Sequence, residues 1–193
     1  QTLYGRDEQV QTLLHRFHHT CQGSTALVLL AGDPGIGKTF IVREIYKPLV
    51  KAKGYFISGK FDQLKRDTPY AAIIEALHHL IQQLLTETPV QLQHWQTRLQ
   101  EALEDNGQIL IDLIPELELL IGEQPAVPPL SEAAAQNRFY QVVNQLIQVF
   151  CRAEHPVVMF LDDLQWADLE SLQLVENVLN QGTQSYFLFI GAY

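Results

Sequence analysis

The sequence predicts an α/β fold: a parallel sheet between two helical layers, a three-layer αβα sandwich. Three observations carry this. Apolar runs at 25–31, 54–58, 157–161 and 186–190 have strand length. Segments with apolar residues at helical spacing lie between them. Strands that alternate with helices need crossover connections, which favour parallel pairing. A chain of 193 residues fits one such domain, and 1–193 is read as a single unit.

The elements follow in order. Val10, Leu13, Leu14 and Phe17 stand at i, i+3, i+4 and i+7, which predicts a helix over Asp7–Thr20. After a turn, 25–31 (TALVLLA) reads as a strand buried on both faces. Phe40, Ile41, Ile45 and Leu49 predict one helix over about 37–49, and 54–58 (GYFIS) a second strand. Thr68 and Pro69 open a helix whose stripe runs through Ile73, Ile74, Leu77, Leu80, Ile81, Leu84 and Leu85. A second helix follows Thr88 and Pro89, with Leu92, Trp95, Leu99 and Leu103 on one side. A third at 107–113 is interrupted at Pro115, so about 68–122 is a helical insertion. The Pro-rich stretch 124–130 is a loop. Phe139, Val142, Val143, Leu146, Ile147 and Phe150 predict the most amphipathic helix of the chain. His155 and Pro156 end it, and the third strand, 157–161 (VVMFL), begins. Asp168 caps a helix to about Asn180 with Leu169, Leu172, Val175 and Leu179 on one side. Gly182 closes that helix before the fourth strand, 186–190 (YFLFI).

Composition excludes several classes. With 47% hydrophobic residues the chain can build a core, so wholesale disorder is out. No apolar run is long enough to span a bilayer as a helix. Cys21 and Cys151 do not make a disulfide scaffold, and a reducing, cytoplasmic setting fits them. A net charge of −9 argues against nucleic acid as a general partner. The charge is uneven. From Lys38 to Arg66 eight basic residues (Lys38, Arg43, Lys47, Lys51, Lys53, Lys60, Lys65 and Arg66) face only Glu44 and Asp62, a local +6 against −15 elsewhere. That stretch is either a solvated basic face or a docking surface for an acidic partner. Gln1 in first place points to a start that lies upstream.

One motif carries chemistry by itself. Gly32, Asp33, Pro34, Gly35, Ile36, Gly37, Lys38 and Thr39 match G-x-x-x-x-G-K-[ST] at every fixed position. Phosphate oxygens need many donors at short range, and glycines let successive backbone N–H groups point inward. The helix expected from Gly37 adds its positive end. Lys38 can reach the β- and γ-phosphates, Thr39 can ligate Mg²⁺, and Phe40 continues the cradle. A strand before the motif and a helix after it supply the context that the motif requires. Its expected counterpart is the acid pair after 157–161. Asp162 would hold Mg²⁺ through water, and Asp163 would polarise the attacking water. Asp is one methylene shorter than the Glu common at that place, so the water must sit closer or hydrolysis is slow. Lys38 and Asp163 are therefore the catalytic candidates, and Thr39 and Asp162 the metal ligands.

Other features read as structural. His15 and His19 are one helical turn apart, but no third ligand stands at metal spacing. His78 and His79 are expected on the surface, and Trp95 and Trp166 need no cofactor. No G-x-S-x-G motif supports a hydrolase triad.

Several stretches together resemble one family. Tyr4, Gly5, Arg6 and Asp7 look like the start of AAA-like ATPase domains of the signal-transduction (STAND) class. Residues 162–168 (DDLQWAD) closely resemble the Walker B extension of that group. The stretches 54–63, 111–122, 136–139 and 187–193 resemble the ATPase module of large bacterial multi-sensor serine/threonine–histidine hybrid kinases. The resemblance implies a P-loop NTPase fold in which Tyr4, Gly5 and Arg6 lie near the adenine. It implies sheet order 5-1-4-3-2 in a full domain, hence 1-4-3-2 here, with the fifth strand, polar sensor and helical lid not in this sequence. It places Arg138 in loose support of the site. It also implies ATP or ADP and Mg²⁺ as ligands, and attached kinase and sensor domains of the same polypeptide as partners.

Three functions follow as expectations. The first is a slowly hydrolysing ATP switch of a bacterial signalling kinase. The second is a nucleotide-binding regulatory module without significant turnover. The third is a DNA-associated AAA-like ATPase, which would need a basic winged-helix region that this sequence does not contain. An edge strand carrying the phosphate loop predicts self-association.

Overall fold

A computed structural model describes residues 6–33, 37–65, 68–181 and 185–193. Gln1, Tyr4, Gly5, Pro34, Gly35, Ile36, Arg66 and Gly182 of the expectations above lie outside them. The order of elements is α1 (Asp7–Thr20), β1 (Thr25–Leu30), α2 (Lys38–Arg43), α3 (Tyr46–Lys51), β2 (Tyr55–Lys60) and α4 (Ala71–Leu84). Then come α5 (Pro89–Leu103), α6 (Gly107–Ile111), α7 (Glu118–Ile121), α8 (Glu132–Phe150), β3 (Val157–Asp162), α9 (Leu169–Asn180) and β4 (Phe187–Ala192). The strands form one parallel sheet in the order β1-β4-β3-β2, as expected. Its register sets Lys60 beside Asp162 and Leu29 beside Gly191.

Alternation along the strands divides the apolar residues between two layers. Val158, Phe160, Leu188 and Ile190 face α1, α2 and α3, where they meet Leu13, Phe17, Ile41, Ile45 and Leu49. Val157, Met159, Leu161, Phe187 and Phe189 face the other way, into a larger core with α4, α5, α8 and α9. Trp95, Leu99, Leu110, Leu117 and Ile121 of the insertion belong to that same core. β3 and β4 are buried almost throughout, which is why they read as unbroken apolar runs.

The two sheet edges differ. Along β2, three side chains of α4 meet the outward backbone groups. Glu75 Oε2 accepts from the Lys60 N–H at 3.1 Å. His79 Nδ1 donates to the Ser58 carbonyl at 2.9 Å, and Gln83 Nε2 to the Phe56 carbonyl at 3.0 Å. Residues 75, 79 and 83 lie on one helical face and residues 56, 58 and 60 on one strand side, so two periodicities match. A Cβ on Gly59 would stand 1.8 Å from the Ala72 carbonyl oxygen, so glycine is what lets α4 lie this close. Among the described residues no helix lies along the outer side of β1 as α4 lies along β2. Leu27 is 48% exposed and Leu29 53%, which corrects the expectation of burial on both faces. They border an apolar groove of about 640 Å³ with Leu164, Leu172, Val175 and Leu179.

Several local expectations change. The helix expected over 37–49 is two pieces. Pro48 has no N–H for the carbonyl of Glu44, and its ring crowds that carbonyl. The chain tightens there, with Glu44 and Ile45 donating to Ile41 and Val42 three residues back. β2 runs two residues past Ser58, through Gly59 to Lys60. β1 ends at Leu30, and β4 starts at Phe187 rather than Tyr186. Pro69 precedes α4 rather than lying in its first turn, and Tyr70 caps the helix at φ 64°. α6 ends at Ile111. In α9 the buried stripe is Ser171, Leu174 and Val178, whereas Leu169 is 65% exposed and Leu172 43%. His79 is bonded to β2 as above, and His78 Nε2 meets Glu116 Oε1 at 2.8 Å. Both are half-buried.

Candidate functional site

The carboxyl ends of the strands meet on one side of the sheet, where open parallel sheets bind ligands. Gly37, at φ 95°, turns the chain from the loop after β1 into α2. A side chain there would be strained, so the motif's last glycine has a backbone reason. α2 is only six residues long, so its first-turn N–H groups matter more than a helix dipole.

Lys38 opens α2 and folds back over the loop, donating to the carbonyls of Gly32 and Asp33. Those are neutral acceptors, and a phosphate would compete for the ammonium with a full charge. Gly37, Lys38, Thr39, Phe40, Arg43, Lys60, Asp162 and Asp163 line one cleft of about 460 Å³. A smaller cavity of about 220 Å³ shares Thr39, Arg43, Lys60 and Asp162 and reaches Glu75, Tyr46 and Phe56. The motif's Lys38 and Thr39 and the acids Asp162 and Asp163 are therefore brought together. A hydroxyl and a carboxylate in one cleft suit Mg²⁺, which takes few protein oxygens and keeps much of its water.

The acids are held differently. Asp162 Oδ1 accepts from the Asp163 N–H at 3.0 Å. Asp163 sits in the left-handed region, at φ 56° and ψ 44°, and opens the 3₁₀ turn Leu164–Trp166. Asp tolerates that conformation better than most residues, though at a cost. Asp163 Oδ2 lies 3.1 Å from Lys60 Nζ, and Oδ1 accepts from Gln165 Nε2 at 3.1 Å. Bonding to Asp163 and then its negative charge hold the Lys60 ammonium above the usual lysine range.

The last acid of 162–168 has a structural role. Asp168 Oδ1 accepts from the Ser171 N–H at 2.7 Å and Oδ2 from the Ser171 hydroxyl at 2.7 Å, as a cap of α9. Ser171 Oγ in turn accepts from the Tyr70 N–H at 3.0 Å, at the start of α4. Arg6 precedes α1 and is not among the described residues that line the cleft. Arg138 donates to the Pro128 carbonyl at 3.1 Å and does not line it either.

Sequence reading passed over Lys60 and Arg43 as site residues. The signal was present in the basic cluster from Lys38 to Arg66, which contains both. A strand end placed at Ser58 hid that Lys60 would arrive beside Asp162.

A sequence-family model described as "AAA ATPase domain" matches residues 2–190. "Hybrid signal transduction histidine kinase G" of Dictyostelium discoideum is 34% identical over 174 residues, 90% of this chain and 5% of that protein. "Histidine protein kinase 1" of Candida albicans is 24% identical over 194 residues, 93% of this chain and 8% of that protein. "Peroxide stress-activated histidine kinase mak3" of Schizosaccharomyces pombe is 29% identical over 98 residues, 49% of this chain and 4% of that protein. The chain thus spans less than a tenth of the length of each of these relatives.

Proposed function

Since the chain belongs to the AAA ATPase domain family, we propose that it is the ATP-binding switch module of a signalling histidine kinase, with slow hydrolysis at most. The observation that carries this reading is the single cleft shared by Lys38, Thr39, Asp162 and Asp163. On this reading Gly32 to Thr39 with Phe40 hold the phosphates there, and the family resemblance would put Tyr4, Gly5 and Arg6 near the adenine. Lys38 exchanges the loop carbonyls for β- and γ-phosphate oxygens. Thr39 and Asp162 hold Mg²⁺, which supplies charge neutralisation on the phosphates when bound. Asp163 orients the attacking water and takes its proton.

The names of the relatives support attached kinase domains as partners, and attached sensor domains rest on the sequence resemblance alone. The multi-sensor kinase setting and a cytoplasmic location belong to the same proposal. The sequence resemblance points to a bacterial kinase, while the three relatives come from eukaryotes. Among the described residues no helix is long and apolar enough to cross a membrane.

One observation favours a second reading, nucleotide binding without turnover. Both Asp163 oxygens are engaged, by Lys60 and by Gln165, so an attacking water must displace one of these partners or share an oxygen with it. Mass spectrometry of nucleotide retained by the purified protein, then a turnover assay with ATP and Mg²⁺, separates the readings. Retained ADP with measurable turnover fits the switch. Retained ATP with none fits the binding module. Neither nucleotide retained nor bound on addition contradicts both.

A further inference from the structure

We propose that Lys60 distinguishes a nucleoside triphosphate from a diphosphate, moving its ammonium from Asp163 to the third phosphate and so freeing the carboxylate. This inference rests on the nucleotide reading above.

Position is the first argument. Lys60 ends β2 and sits in register with Asp162 on β3. Its backbone is held twice, by the strand pairing and by Glu75 Oε2 on the N–H. Only the side chain is free to move, and a lysine stem with four carbons can swing its ammonium by several bonds.

Charge is the second. The Lys60 side chain is 64% exposed and that of Asp163 26%, so this is a surface pair. Such pairs are weak and easily exchanged. A terminal phosphate carries more charge than a carboxylate and offers three oxygens, so it wins the competition for an ammonium within reach.

Chemistry supplies the third. For Asp163 to act on the attacking water, the third phosphate must lie about one water molecule away from its carboxylate. Lys60 Nζ is 3.1 Å from that carboxylate, so it is within reach of the same phosphate. A diphosphate ends before this point and leaves Lys60 on Asp163. Arg43 lines the cleft too, but among the described residues it makes no ion pair with either acid. In hydrolysis the water oxygen bonds to the third phosphorus while the bond to the bridging oxygen breaks. The electron pair leaves with the diphosphate, and the water proton passes to the Asp163 carboxylate that Lys60 has vacated.

The test compares calorimetric affinities for a non-hydrolysable triphosphate and for ADP, both with Mg²⁺, in wild type, Lys60→Met and Lys60→Arg. Lys60→Met should weaken the triphosphate about tenfold, the scale of one partly exposed charge-assisted hydrogen bond, and leave ADP within about twofold. Lys60→Arg should keep most of the discrimination. Equal changes for both nucleotides, or none, would overturn the proposal. So would faster single-turnover hydrolysis by Lys60→Met with unchanged affinities, because Lys60 would then be only a latch on Asp163. Lys38→Ala keeps the two levels apart. If it binds like wild type, or wild type binds neither nucleotide, the nucleotide reading itself fails. If only the Lys60 contrast is missing, that reading stands and this inference falls.

Discussion

The backbone N–H of Tyr70 donates to the hydroxyl of Ser171 at 3.0 Å, across 101 residues of sequence. Ser171 is fully buried, and its hydroxyl donates a hydrogen bond to Asp168, the residue that caps α9. One hydroxyl thus joins the start of α4 to the start of α9, just beyond the turn that carries Asp163. α4 is also joined to the cleft a turn later, through Glu75 and the Lys60 N–H. The helical insertion therefore meets the site at two backbone points rather than through apolar packing alone.

Ser171→Ala leaves the Tyr70 N–H without that partner and strips Asp168 Oδ2 of its donor. The expected loss is about 2 kcal/mol of unfolding free energy, the scale of a buried unsatisfied polar group. Asp168→Ala removes the cap and should cost about 1 kcal/mol. Because both act on one network, the double mutant should lose less than the sum. Denaturant unfolding of the three variants checks this, and strict additivity would show that the network is not shared.

Asp162→Asn should weaken the Mg²⁺-dependent part of ATP affinity more than binding without metal, since the neutral amide no longer holds the ion's water shell. Asp163→Asn should leave binding nearly unchanged and reduce turnover. Titrations with and without EDTA, beside a phosphate-release assay, compare the two. Identical behaviour in both assays would remove the division of labour between them.

Much of this was legible from residue order, and the failures have physical causes. β3, β4 and α8 were readable because central strands and a long amphipathic helix leave little choice of burial. The stripe of α9 was misread because Leu172, Val175 and Leu179 are apolar at helical spacing but border the groove beside β1. The buried stripe instead contains a serine, Ser171, whose burial depends on partners that are distant in sequence. Pro48 is the visible sign of the break between α2 and α3, and the apolar period of Phe40, Ile41, Ile45 and Leu49 runs across it. Within the site, contiguous motif residues were readable because one loop or one strand end presents them. Lys60 was not, because its neighbour Asp163 follows another strand and the close approach of α4 that Gly59 permits is visible only in the fold.

The exposed edge of β1 predicts association. Leu27 and Leu29 stand beside backbone groups that no strand pairs on the outer side among the described residues. Purified protein should show a concentration-dependent rise in sedimentation coefficient, and replacing both leucines with lysine should abolish it. A monomer at every concentration would contradict this expectation.

The central claim is that Lys38 and the cleft around it bind the phosphates of ATP. The most direct test is calorimetric titration of the protein with ATP and Mg²⁺, run in parallel on Lys38→Ala. Wild type should bind one equivalent. The variant should lose affinity by at least about a hundredfold, because two or more charge-assisted bonds to phosphate go with the ammonium. No saturable binding by wild type, or equal affinity in the two proteins, would contradict the account.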